Sequence, residues 1–200
     1  MSSSDASRIW PTINNRRRCR TSGTLEYRAE APEESLRIFH IKWDTTRNAL
    51  FLATQGWEVT GFDISDVGVQ LAREAAQKRG LKLATLVDDV DRFDYGRQRW
   101  DLVVGMYMHA TITRNAGKII DSLKPGGIIV VEGFHRDLNR QGLQGGYIGY
   151  RSNELLRAFD RLRVLYYEDT VGPADWERSG QEAPVVRVIG VREQSATDSR

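Results

Sequence analysis

A chain of 200 residues, 40% hydrophobic and 28% charged, has enough apolar material for one full α/β core and little left for a second domain. A net charge of +2 is too small to point to nucleic acid or an anionic membrane surface. One cysteine, Cys19, excludes an internal disulfide and a cysteine-rich metal site, and no apolar run nears the roughly 20 residues that span a bilayer. The polar start, MSSSDASRIWPTINN, lacks the apolar segment of a signal peptide, so a cytoplasmic protein is expected.

Residues 1–35 are rich in Ser, Thr, Asn and Arg without sustained apolar periodicity, and a poorly ordered arm is expected there. Arg16, Arg17, Arg18 and Arg20 have no aromatic platform beside them and read as a solvated cluster. The α/β domain is expected over 36–192, with a polar tail over 193–200. Its first strand is Leu36–Asp44, which alternates weakly. Thr45 or Thr46 then caps a helix over RNALFLATQ that stops at Gly56. Glu58–Asp63 is a short β-branched and aromatic run between Gly56 and Ser65, and reads as a buried second strand. A helix over Asp66–Arg79 follows, closed by Gly80, with Val67, Leu71, Ala75 and one of Val69 or Ala72 facing inward.

Leu81–Val87 reads as a third strand that ends on Asp88, Asp89 and Asp91. Trp100–Ala110 has the almost continuous apolar centre of a parallel strand covered on both faces. One helical period runs from Thr111 to Leu123, Lys124-Pro125-Gly126-Gly127 breaks it, and Gly127–Phe134 supplies another buried strand. After a Gly- and Gln-rich stretch over 136–151, Ser152 or Asn153 caps a helix over Glu154–Leu162 with Leu155, Leu156 and Phe159 inward. Arg163–Asp169 and Val185–Val191 are two late strands with no helical pattern between them. Strand–helix alternation that finishes this way implies a Rossmann-like, doubly wound, mostly parallel sheet ending in an antiparallel hairpin.

In open α/β sheets ligands bind outside the carboxyl ends of the strands. Asp63 ends the second strand there. A carboxylate offers two acceptor oxygens to the two hydroxyls of a ribose, while the simpler reading is a cap for the next helix. His109, just past the fourth strand, has an imidazole suited to act as a base near neutral pH or to hold a substrate, or simply to bond at the start of the following helix.

The segments RNALFLATQGWEVTGFDIS, LVDDV, WDLVVGMYMHA and LKPGGIIVVEGF, in this order and spacing, resemble class I S-adenosylmethionine-dependent methyltransferases over roughly Arg47 to Val191. The resemblance implies S-adenosylmethionine as cofactor and a small-molecule methyl acceptor, with a protein acceptor as the alternative. The lack of a basic groove and of base-stacking aromatics argues against nucleic acid, and neither membrane nor metal is expected. The resemblance also implies that Asp63 binds the ribose hydroxyls and Ile64 packs on the adenine. Asp89 would accept the adenine amino group, and Val90 would offer a backbone N–H to the ring. Met106 and Tyr107 would line the methionine and substrate end, with Glu132, Phe134 and His135 near the acceptor pocket. His109 is the one weak catalytic candidate.

The family's glycine-rich turn after the first strand, of the kind D-x-G-x-G-x-G, is missing. In its place stands His40-Ile41-Lys42-Trp43-Asp44-Thr45-Thr46, without a glycine to let backbone approach the cofactor. The likeness resumes abruptly at Arg47, which suggests replaced or out-of-frame sequence over roughly the first 45 residues. This gap also supports an inactive methyltransferase fold kept as a binding module. A nicotinamide oxidoreductase, which likewise uses an acid at the end of the second strand, ranks last, because its G-x-G-x-x-G is equally absent and the terminal hairpin fits it poorly.

Overall fold

The computed structural model describes residues 37–41, 46–137, 149–173 and 182–194, all within one compact unit, Leu36–Arg200. The expected arm over 1–35 and most of the tail lie outside the described residues. So do residues 42–45, where the glycine-rich turn would be sought.

Seven strands form one sheet in the order β3-β2-β1-β4-β5-β7-β6. They are β1 (Arg37–Ile41), β2 (Glu58–Asp63), β3 (Leu83–Val87), β4 (Trp100–Met106), β5 (Leu123–Phe134), β6 (Arg163–Pro173) and β7 (Glu182–Val191). The first five run parallel, and β7 is antiparallel to both β5 and β6. The fold is therefore the doubly wound, mostly parallel sheet with a terminal antiparallel hairpin that the alternation implies. Strand order steps outward from β1 to β3 and then reverses at β4. With right-handed crossovers, this puts the helices of the two halves on opposite faces and opens a crevice at the carboxyl ends near the reversal.

The helices are α1 (Thr46–Thr54), α2 (Asp66–Gln77), α3 (His109–Arg114), α4 (Ala116–Ser122) and α5 (Glu154–Ala158). On α2 the buried residues are Val69, Ala72 and Ala76, whereas Val67 and Leu71, expected inward, are exposed. Ser65 caps this helix, its side chain accepting from the Gly68 N–H at 3.2 Å, and fixes the phase that turns the two alanines toward the sheet. The single helix expected over 111–123 is two, divided at Asn115, which caps the end of one and the start of the other while its buried side chain donates to the Thr111 carbonyl and the Asp91 carboxylate. β4 stops at Met106, four residues before the expected end, because Tyr107 turns out of the strand at φ 55°.

The core is centred on β4 and β5. Trp100, Val103, Ile112, Ile119, Leu123, Ile129, Val131, Tyr150, Leu155 and Phe159 bury their side chains in one cluster. At about 25 cal/mol per Å² of apolar surface removed from water, clusters of this kind supply the main drive for folding. β5 follows α4 directly and takes in the Lys124–Gly127 stretch expected as a break, with the ladder to β4 irregular there and Gly126 at φ 76°, a backbone conformation that favours glycine. Arg192 completes this junction from the other end of the chain, donating from Nη1 to the Ile120, Asp121 and Leu123 carbonyls, where α4 would otherwise leave acceptors open.

Candidate functional site

A cavity of about 530 Å³ lies at the carboxyl ends of β2, β3 and β4. Asp63 closes β2 at its floor and is only 8% exposed. Its Oδ1 accepts the Ser65 N–H at 2.9 Å, and its backbone carbonyl accepts the Asp88 N–H at 3.0 Å. The helix cap is thus Ser65, and Asp63 sits behind it, held rigidly in the wall. Beside it Ile64 is 75% exposed, an apolar face presented at the cavity mouth.

The second wall is the turn after β3. Asp88, Asp89, Val90 and Asp91 all line the cavity, and three anchors shape their loop. Phe93 stacks on Phe62 with ring centroids 4.8 Å apart. The Tyr95 hydroxyl donates to the Val90 carbonyl at 3.0 Å, and burial keeps that phenol protonated by raising its pKa well above the ordinary range. Asp91 accepts from Arg114 Nε at 3.0 Å, Arg114 Nη2 at 2.5 Å and Asn115 Nδ2 at 2.7 Å. These bonds, the Arg114 pair first, hold its carboxyl below the usual carboxylate range.

The third wall is the turn that leaves β4. Tyr107, Met108, His109, Ala110 and Thr111 line it, while Met106, expected there, is buried in the strand and does not. Met108, half-buried against the core, takes that place on the cavity wall, where Tyr107 at positive φ has turned the chain out of the strand. The Tyr107 hydroxyl donates to Glu132, itself buried and paired with Arg187 at 2.5 Å. His109 Nε2 accepts the Phe134 N–H at 3.1 Å. Glu132, Phe134 and His135 are not among the lining residues. His135 is engaged instead with Ser152 Oγ at 3.1 Å and with the Asp137 carboxylate.

The lining brings together Asp63, Ile64, Asp89, Val90, Tyr107 and His109 from three separate stretches of sequence, and adds Arg114, which no sequence pattern marks. Four carboxylates face one guanidinium, so the cavity is acidic, as suits a ligand that carries hydroxyls, amino groups or a cationic centre. Among the described residues no group of three or more His, Cys, Asp or Glu side chains is placed to hold a metal ion, and no helix is long and apolar enough to cross a membrane.

A sequence model of the methyltransferase-domain family matches residues 44–127, opening three residues before Arg47. No curated protein sequence matches the chain. Among solved structures, an S-adenosylmethionine-dependent methyltransferase from Methanosarcina mazei has a TM-score of 0.67 at 18% identity, covering 82% of this chain and 95% of its own. SpnF, a 4+2 cyclase, has a TM-score of 0.64 at 19% identity, covering 82% and 77%. The N-methyltransferase NodS from Bradyrhizobium japonicum, in complex with S-adenosyl-L-homocysteine, has a TM-score of 0.62 at 14% identity, covering 80% and 79%. The chain thus shares the fold of these methyltransferase structures, and the methyltransferase-domain match spans the three walls of the cavity.

Proposed function

We propose that the chain transfers a methyl group from S-adenosylmethionine to a small-molecule acceptor, in a cytoplasmic setting, and that the domain responsible spans residues 36–192. The observation that carries this reading is the buried Asp63 carboxylate at the end of β2, facing an acidic cavity beside the exposed face of Ile64. Those groups suit the cofactor: a carboxylate for a vicinal diol, an apolar face for adenine, and negative surroundings for a sulfonium.

On this reading Asp63 accepts the ribose hydroxyls and Ile64 covers one face of the adenine. Asp89 accepts the adenine amino group, and the Val90 backbone N–H meets a ring nitrogen. Tyr107, Met108 and His109 border the methionine and acceptor end, and Met106 supports them from behind. Bound there, S-adenosylmethionine supplies a methyl already activated on sulfur. What these residues then contribute is proximity and in-line orientation, with water kept from the reacting atoms.

A second reading, a binding module without methyl transfer, is favoured by the glycine-free stretch His40–Thr46. The cyclase among the fold's neighbours also shows that this sheet does not by itself dictate methyl transfer. Titration calorimetry separates the two. The wild type is expected to bind S-adenosylmethionine and S-adenosylhomocysteine, and Asp63→Ala to weaken both by about 10- to 100-fold, the worth of hydrogen bonds to a charged acceptor. Absence of binding at millimolar cofactor overturns the first reading, and selective binding of NAD(H) points to an oxidoreductase.

A further inference from the structure

The end of β4 is joined to β5 in an unusual way. In their parallel ladder Met106 is opposite Glu132, and the Tyr107 N–H donates to the Glu132 carbonyl at 2.7 Å. The next donor of β5 on that side is the Phe134 N–H, which a continued β4 would meet with a carbonyl. The chain has by then left the strand, with Tyr107 at φ 55° and His109 at φ 30°. The Phe134 N–H goes to His109 Nε2 instead, at 3.1 Å. A side chain has taken the place of the missing strand.

Resting on the reading of the cavity as a cofactor and acceptor site, we infer that His109 is a positioning residue: its imidazole extends the β4–β5 ladder by one rung and thereby fixes the Tyr107–Ala110 wall. A nitrogen that accepts an N–H carries no proton, so the neutral ring holds its proton on Nδ1. Nε2 is therefore committed to the sheet and does not serve as a general base. The ring is held flat by its neighbours, stacked on Phe134 at 5.8 Å between centroids and set against Tyr150 at 5.2 Å. Gly133 makes room for this. A Cβ there would lie 3.0 Å from His109 Nε2 and 2.6 Å from Tyr150 Cε2. Residues with positive φ persist only where surroundings hold them, and here the Tyr107–Glu132 bond and the His109–Phe134 bond do so from two sides.

Protonation of Nε2 would set two N–H donors face to face and release that wall. The titratable and charged groups around the ring are Tyr107 on its own turn and Glu132 on β5, the latter paired with Arg187. Tyr150 packs on the ring with Glu154 behind it. Asp63, Asp88, Asp89, Asp91 and Arg114 lie around the cavity.

Two measurements on the full-length protein test this. A long-range proton–nitrogen correlation spectrum at about pH 8, where an ordinary histidine is neutral, is expected to show His109 with a protonated Nδ1 and an accepting Nε2. A protonated Nε2 overturns the inference. Calorimetry with S-adenosylhomocysteine from about pH 8 to pH 5, the range of histidine titration, is expected to show wild-type affinity falling by about tenfold or more toward acid. His109→Ala should bind weakly throughout. His109→Gln, whose amide oxygen accepts the Phe134 N–H and does not titrate, should recover most of that affinity and flatten the profile. Identical profiles for wild type and His109→Gln overturn the inference. If no form binds S-adenosylhomocysteine, the cofactor reading fails, and the nitrogen spectrum alone then decides for or against the positioning role.

Discussion

Asp88, Asp89 and Asp91 stand in one turn, but their surroundings divide their work. Asp91 takes two bonds from Arg114 and one from Asn115, and its backbone carbonyl takes a fourth from Lys118 Nζ at 3.0 Å. It pins the turn after β3 to α3 and α4, so that Asp89 and Val90 are held toward the cavity. The partners lie 23 to 27 residues downstream, which is why a run of acids in sequence cannot say which of them is structural. Because Arg114 holds the folded carboxyl below its ordinary value of 3.8, the contribution is full above that unfolded value and is lost as pH falls through the folded one. Asp91→Asn should therefore lower the urea midpoint at neutral pH. The gap between variant and wild type should close as pH drops below about 4. A gap that persists unchanged in acid would mean that the charge of Asp91 is not what holds the turn.

At the scale of elements, strand positions were legible because buried parallel strands are short apolar runs between turn residues, as in β2, β4 and β5. Helix faces were less so. α2 carries Val67, Val69, Leu71, Ala72, Ala75 and Ala76, too many apolar side chains for periodicity alone to choose the inner stripe. The capping phase set by Ser65 and the need for close approach to the sheet select the small Ala72 and Ala76. The break between α3 and α4 was hidden for a related reason: the apolar period continues through it, and the first helix ends where Asn115 bonds the Thr111 carbonyl and the distant Asp91 carboxylate. Two glycines test how tightly these elements are packed. In α4, Gly117 is exposed with open space where a Cβ would go, so Gly117→Ala should stabilise by about 0.5–1 kcal/mol. In β5, Gly133→Ala should destabilise by about 1–3 kcal/mol, because the rings of Tyr150 and His109 leave no room. Urea unfolding of both variants checks the pair, and a destabilised Gly117→Ala or a neutral Gly133→Ala would contradict this packing.

For the whole molecule, strand–helix alternation and the helix-free interval before the last strand made the sheet and its hairpin readable, along with Asp63 at the end of β2. What could not be read was any contact that depends on strand order. The chief case is a charged row crossing the second half of the sheet. Tyr107, just past β4, donates to Glu132 on β5. Glu132 pairs with Arg187 directly opposite on β7, and Arg187 pairs with Glu168 directly opposite on β6. The Glu132–Arg187 pair spans 55 residues of sequence, and only the insertion of β7 between β5 and β6 brings it together. The Glu132 side chain is 1% exposed, Arg187 13% and Glu168 30%, and the two carboxylates hold the Arg187 guanidinium protonated against the opposing effect of burial. Removing one member of such a pair leaves the other buried without its counterion. Glu132→Ala should therefore cost about 3–5 kcal/mol. Glu168→Ala, at the more exposed end, should cost less than Glu132→Ala. Replacing both members of the inner pair, Glu132→Gln with Arg187→Met, should recover much of the loss, since no unpaired charge is then buried. Urea denaturation of the three variants reads these differences. A double variant as unstable as Glu132→Ala would show that shape at this row, and not paired charge, is what the second half of the sheet depends on.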